Sequence, residues 1–261
     1  MPEINPNTPV LVGIGVIGQK QENWQDAREA LDLMCDAAVA AVTDSGADIA
    51  AQVERIYVPR GLWSYSDPAR TVATKLGAPS ATTVIGDIGI LQQSLMGDAC
   101  RRIAAGELGV AMVVGGEARY RGLRAQIAGA EAPETEQAEA PDITLQPAAE
   151  LYLDTELNSG LGYMPVGYYA ILESALCSAA GTSMDAHRDN IARRYQRFSE
   201  IAAGNPDAWS HIAGTGTMTA SSIRDASDKN RMLAFPYTKL HNSQWNVDQA
   251  CALLLCSAGL A

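Results

Sequence analysis

No stretch of about 18 consecutive apolar residues, the length a helix needs to cross a bilayer, occurs in this 261-residue chain. The first twenty residues also lack a basic stretch followed by an apolar block, the pattern of a secretory leader. Both absences point to a soluble protein with the cytoplasm as its expected location. Positive charge is scarce, with 19 Lys and Arg against 30 Asp and Glu and a net charge of −11. That balance repels a nucleic-acid backbone unless the cations cluster. The one cluster, Arg193, Arg194 and Arg197 beside Glu200, reads as a solvated helix face, so no nucleic-acid partner is expected.

Paired soft ligands are missing too. Cys35, Cys100, Cys177, Cys251 and Cys256 form no Cys-x-x-Cys pair and fall mostly in apolar patterns, which reads as small buried hydrophobes. His187, His211 and His241 lie far apart, none three or four residues from another soft ligand, so no metal site is expected. No internal repeat is found.

What is present is a chain with 47% hydrophobic residues, enough to bury a large core in one or two domains. Residues 1–118 alternate apolar strands with amphipathic helices, the pattern of a layered α/β domain with a largely parallel sheet. Strands are expected at 10–14, 55–58, 82–85 and 110–114. Helices are expected from Asp26 to about Thr43, from Asp67-Pro68 to Leu76 with Gly77 as stop, and from about Ile90 to Ala105 ahead of Gly106. Residues 131–142 are acidic and rich in Ala and Pro, which reads as a mobile excursion. Two helices, 164–180 and 184–203, follow around Gly181-Thr182; 204–226 reads as loop, and 251–257 as a final apolar strand.

One dinucleotide-type fingerprint, Gly13-Ile14-Gly15-Val16-Ile17-Gly18, follows a strand. Its context is wrong, because a helix should open on the third glycine whereas Gln19 to Gln25 is polar and unperiodic. No nicotinamide cofactor is expected.

The run GILQQSLMGDACRRIAAGELGVAMVVGGEA, 89–118, resembles the thiolase pattern in which a buried helix stops at Ala-x-Gly-Glu and an apolar strand leads to Gly-Gly-x-Glu. The opening PVLVGIG, the central Met164 ahead of a long helix, AAGNPDAW at 202–209, and PYTKLHNSQWNVDQACALLLCS at 236–257 agree with it. The resemblance, to the sterol-carrier type in particular, covers almost the whole chain. It implies a thiolase-like layered α-β-α fold: an amino-terminal α/β domain at 1–118, a mostly helical loop domain at 119–235, and the start of the carboxyl-terminal domain at 236–261. The second half of the fold is missing, either because the chain is a fragment or because a partner supplies the remainder.

Thiolases are similar in placing a nucleophilic cysteine at the start of that helix, where free amides and the helix dipole favour the thiolate. Counting back fourteen residues from Ile103 places Gly89 at that position, a residue that cannot attack a thioester. Cys100 lies eleven residues on, about 16 Å along a helix, and cannot replace it. The family's histidine base and Cys-x-Gly segment lie beyond the region the resemblance covers; Cys256-Ser257-Ala258-Gly259 has the wrong spacing for the latter.

The resemblance implies an acyltransferase of the acetyl-CoA acetyltransferase type that handles acyl-CoA thioesters in lipid or steroid metabolism, here without the usual cysteine. The alternatives are a non-catalytic acyl-CoA-binding chain or partner subunit, and a retro-aldolase-type relative in which tyrosines such as Tyr163, Tyr168 or Tyr169 move protons. It further implies that Met164 and the stretch His241, Asn242, Ser243 and Gln244 contact the pantetheine arm, that coenzyme A enters as substrate with no resident cofactor, and that the chain forms a homodimer through a sheet edge or takes a thiolase-like partner. Asp87 and Glu117, at strand ends, are further polar candidates, with Glu117 expected to be structural.

Overall fold

The computed structural model describes residues 4–150 and 153–261 and divides into two compact units, Met1–Ala149 with Asn246–Ala261 and Glu150–Trp245. The first is built on a six-stranded sheet. Its strands are β1 (Pro9–Gln19), β2 (Arg55–Pro59), β3 (Thr82–Gly86), β4 (Val110–Ala118), β5 (Ile143–Leu145) and, after a hairpin of β6 (Met232–Ala234) and β7 (Tyr237–Thr238) in the second unit, β8 (Asp248–Ser257). The order is β1-β8-β4-β2-β3-β5. Only β8 runs against the other five, pairing antiparallel with β1 and β4, while β4-β2-β3-β5 are parallel. The expected α/β sheet, largely parallel, is therefore what forms.

Helices α1 (Ala30–Ser45) and α2 (Pro68–Leu76) cover one face and α3 (Gln92–Ala104) the other. The apolar residues of α1 repeat at helical spacing, so Leu31, Met34, Ala38 and Ala41 fall on one side and are buried against the sheet. The alanines permit close contact: a Cβ on Gly13 or Gly15 would stand 2.0 Å from the backbone oxygen of Ala41 or Ala37. The Gly-x-Gly-x-x-Gly run thus lies inside β1 and serves helix–strand packing. Helix α2 shows its signals plainly, with Asp67 accepting from Arg70 N, Pro68 in the first turn, and Gly77 left-handed at φ +73°.

Coverage of the α3 face is incomplete. Helix α3 packs over Tyr57, Val84, Ala111, Val113 and Leu255. On the β1–β8 side of the same face, Leu11 and Ile14 are exposed opposite Leu255 and Leu253, and Val16 stands opposite the exposed Cys251.

Residues 131–142 form no regular element, yet they lie along the first unit and are tied to it. Glu134 accepts from Ser64 N and Oγ at 2.7 and 2.6 Å, Gln137 exchanges bonds with the backbone of Asp67, and Asp142 accepts from Thr83 N at 2.8 Å and pairs with Arg70 at 2.7 Å. This corrects the reading of an excursion: carboxylates that look solvated in the sequence satisfy backbone donors of distant segments. The strap then adds β5 to β3, covering Val84 to Gly86 on the edge through which a partner could otherwise pair.

The second unit holds helices α5 (Val166–Ala180) and α6 (Met184–Ala203), separated by left-handed Gly181 and packed with the β6–β7 hairpin around Ala170, Ile191 and Tyr237. The stretch 204–226 contains two short helices, Trp209–Ile212 and Ala220–Arg224.

Candidate functional site

Parallel strands deliver their following loops to one edge of a sheet, and ligands of open α/β folds collect there. At that edge the first unit has a cleft of about 410 Å³. Arg60 and Gly61 after β2, Gln92 and Met96 of α3, Gly115 to Glu117 of β4, and Gln249 and Cys251 of β8 line it. Arg60 is paired with Asp87, whose other oxygen accepts from Gln146 at 2.8 Å. Glu117 accepts from Leu62 N at 2.6 Å, and burial raises its carboxyl above the usual range. Trp63 donates to Gly116 O at 3.1 Å. Asp87 and Glu117 therefore hold the loop after β2 in place. Asp248 begins β8 fully buried and accepts from Tyr120 N and Arg121 N at 2.8 and 3.0 Å, capping the start of α4 (Arg119–Ile127) from a distant strand.

Gly89 sits in the turn between β3 and α3, three residues before the helix begins at Gln92 rather than near Ile90. It is exposed, at the carboxyl edge, with φ +104°. A Cβ there would stand 3.1 Å from Pro147 Cβ. The position thus differs from a nucleophile site by more than one side chain, because its backbone occupies a region that L-residues rarely adopt and Pro147 stands over it.

Cys100 packs with Leu95, Ala99 and Ile103 on the core side of α3, so it does not stand in for a nucleophile. Cys35, Cys177 and Cys256 are buried. Cys251 departs from the expectation of buried cysteines. The period of two along β8 turns Ala250 and Ala252 into the core and leaves Cys251 exposed on the cleft wall.

The resemblance also pointed to the second unit. There, His241, Asn242 and Ser243 line a groove of about 410 Å³ together with Tyr169, Leu172, Glu173, Leu176, Tyr195 and Tyr237. Met164 lies just ahead of α5, about half exposed, and Gln244 is exposed; neither lines the groove. Tyr163 is exposed as well, and of the three tyrosines considered only Tyr169 reaches the groove. Glu173 accepts from the Tyr237 hydroxyl and contacts His187 Nε2 at 2.6 Å. His241 Nδ1 receives the backbone N–H of Thr238 at 3.1 Å, and burial beside Arg188 pushes its pKa down to about 4. Glu173, Tyr195 and Tyr237 were not singled out by the sequence reading. They come from three separate segments and carry no local motif. Among the described residues no group of His, Cys, Asp and Glu is arranged to hold a metal ion, and no helix is long and apolar enough to cross a membrane.

No family model matches the chain, and no curated protein is similar enough to match it. Solved structures do. The chain is similar to a monomeric SCP2-thiolase-like protein type 1 from Mycobacterium smegmatis, at 27% identity and TM-score 0.75, over 99% of this chain and 48% of that one. It resembles in fold an Ltp2–ChsH2(DUF35) aldolase, at 17% identity and TM-score 0.65 over 97% and 56% of the two chains. It also resembles human mitochondrial 3-ketoacyl-CoA thiolase, at 16% identity and TM-score 0.57 over 95% and 65%. The chain spans about half the length of the mycobacterial protein.

Proposed function

We infer the function from one premise: the chain belongs to the thiolase-like superfamily. On that premise it handles acyl-CoA thioesters, in the manner of an acetyl-CoA acetyltransferase relative, but forms no acyl-enzyme on a cysteine. The observation that carries this reading is Gly89, with its φ of +104° and Pro147 against the place a side chain would take. An acyl-enzyme route needs a thiolate at a helix start; Gly89 offers none, and a side chain there would meet both a strained backbone and a tight contact with Pro147. The thioester would then be bound and polarised rather than attacked. That suits either a carbon–carbon cleavage of the kind named for the aldolase neighbour or a binding role beside a catalytic partner.

The second reading, a partner-dependent chain, is favoured by the incompletely covered sheet face. Leu11, Ile14 and Leu253 would be sealed by a second thiolase-like half packed beside α3, whether that half belongs to the same polypeptide or to another. Met164, His241, Asn242, Ser243 and Gln244 remain the residues we assign to the pantetheine arm.

The test is to incubate the protein with acetoacetyl-CoA, measure binding by calorimetry, and examine all five cysteines by mass spectrometry. Binding without an acetyl adduct is expected. An adduct on any cysteine refutes the mechanism, and absence of all binding to CoA species refutes the substrate class.

A further inference from the structure

The groove of the second unit brings apolar and hydrogen-bonding side chains together. Leu172 and Leu176 of α5, both more than half exposed, line it with Tyr169. Glu173 lies between the two leucines on the same helix, and Tyr195, Tyr237, His241 and Asn242 bring further hydrogen-bonding groups from other segments, whose free valences follow from their partners. Glu173 is occupied on both oxygens, by Tyr237 and by His187. The amide nitrogen of Asn242 donates to Thr238 O at 2.8 Å.

His241 is the informative residue. A backbone N–H can only donate, so the bond from Thr238 N makes Nδ1 an acceptor. In the neutral ring the proton is then on Nε2. Burial keeps the ring neutral at physiological pH, with its pKa near 4. Tyr195 stacks its ring edgewise on His241, with centroids 5.1 Å apart, and its hydroxyl has no hydrogen-bond partner among the described residues. Two neutral donors, Nε2–H of His241 and the Tyr195 hydroxyl, thus line a groove that also carries Leu172 and Leu176 and a Glu173 carboxylate with one partner on each oxygen.

We propose that this groove binds the carbonyl end of an acyl thioester, with His241 Nε2–H donating to the carbonyl oxygen, Tyr195 assisting, and the acyl chain lying along Leu172 and Leu176. Acceptor-only chemistry selects a carbonyl over a carboxylate, since neither donor is charged and Glu173 stands beside them. The inference rests on the acyl-CoA reading and adds to it the atoms that recognise the thioester.

The experiment compares octanoyl-CoA with S-octyl-CoA, a thioether of the same chain that lacks the carbonyl oxygen, using CoA as reference. One hydrogen bond of this kind is worth about three- to tenfold in affinity, so octanoyl-CoA should bind the wild-type protein tighter by that factor. His241→Leu should remove the difference. His241→Gln, whose amide nitrogen sits near the Nε2 position, should keep part of it, and Leu176→Ser should weaken both ligands alike. Should either His241 variant fail to fold, the ¹⁵N signal of His241 Nε2 in the wild-type protein is the readout, shifting with octanoyl-CoA and not with the thioether. Equal affinity for thioester and thioether, or a silent Nε2, overturns this assignment alone. Failure of all three CoA species to bind removes the function it rests on as well.

Discussion

Replacing Gly89 with alanine tests the central geometric claim. At φ +104° any L-residue sits in a sparsely populated region at a cost of about 1–3 kcal/mol. The new Cβ would also meet Pro147 at 3.1 and 3.3 Å, tighter than ordinary contact. Against this, an alanine restricts the unfolded chain and returns about 0.4–1 kcal/mol. The net expectation is a loss of about 1–2 kcal/mol for Gly89→Ala. Gly122→Ala is the matched control, lying on the exposed side of α4 with nothing within 4 Å of its Cβ. It should gain roughly 0.5–1 kcal/mol. Because the chain has two units, a global melting curve mixes their transitions. Hydrogen exchange of the β3 amides in increasing urea reports on the right one. Faster exchange in Gly89→Ala and slower in Gly122→Ala is the expected pair. A Gly89→Ala protein as stable as wild type would show that the turn relaxes freely, and with it would go the reason given for the missing nucleophile. Gly89→Cys should by the same reasoning acquire no acyl group from acetoacetyl-CoA.

Two further outcomes follow from local environments. Iodoacetamide at pH 7.5 should label Cys251 well before the other four cysteines, since it alone is exposed, whereas Cys35 is buried with its thiol pushed up to about 11. Equally fast labelling of Cys100 would contradict its packing against Leu95, Ala99 and Ile103, and protection of Cys251 by octanoyl-CoA would place the ligand in the cleft. His241 titrates near 4 in the fold against 6.5 in the open chain, held down by burial and by Arg188 while Glu173 pulls the other way. Acidification therefore protonates the unfolded chain first, and the second unit should lose roughly 1.5 kcal/mol between pH 6.5 and 5. Limited proteolysis of that unit across this window should show the slope, and His241→Gln should flatten it; an unchanged slope would reject a neutral buried ring.

The sequence made the fold legible wherever a short-range signal decided the outcome. Asp67-Pro68 and Gly77 bracket α2 to the residue, because a capping carboxylate, a fixed φ and a left-handed stop each act over a few positions. Strands β1, β2, β3, β4 and β8 were readable from apolar runs for the same reason, whereas the short β5, β6 and β7 were not. The strap and the groove were not. Glu134 and Asp142 look like solvated charge until Ser64 and Thr83, 70 and 59 residues away, supply the donors they satisfy. Glu173 is likewise an ordinary helical glutamate until Tyr237, 64 residues on, arrives against it. Polar groups reveal their purpose only once their partners are known, since a donor or acceptor is as content with water as with a distant chain segment until burial removes the water. Gly89 lies between these cases. The resemblance singled out the position in the sequence, whereas the backbone angle of +104° and the neighbouring Pro147, which set the cost of placing any side chain there, are visible only in the fold.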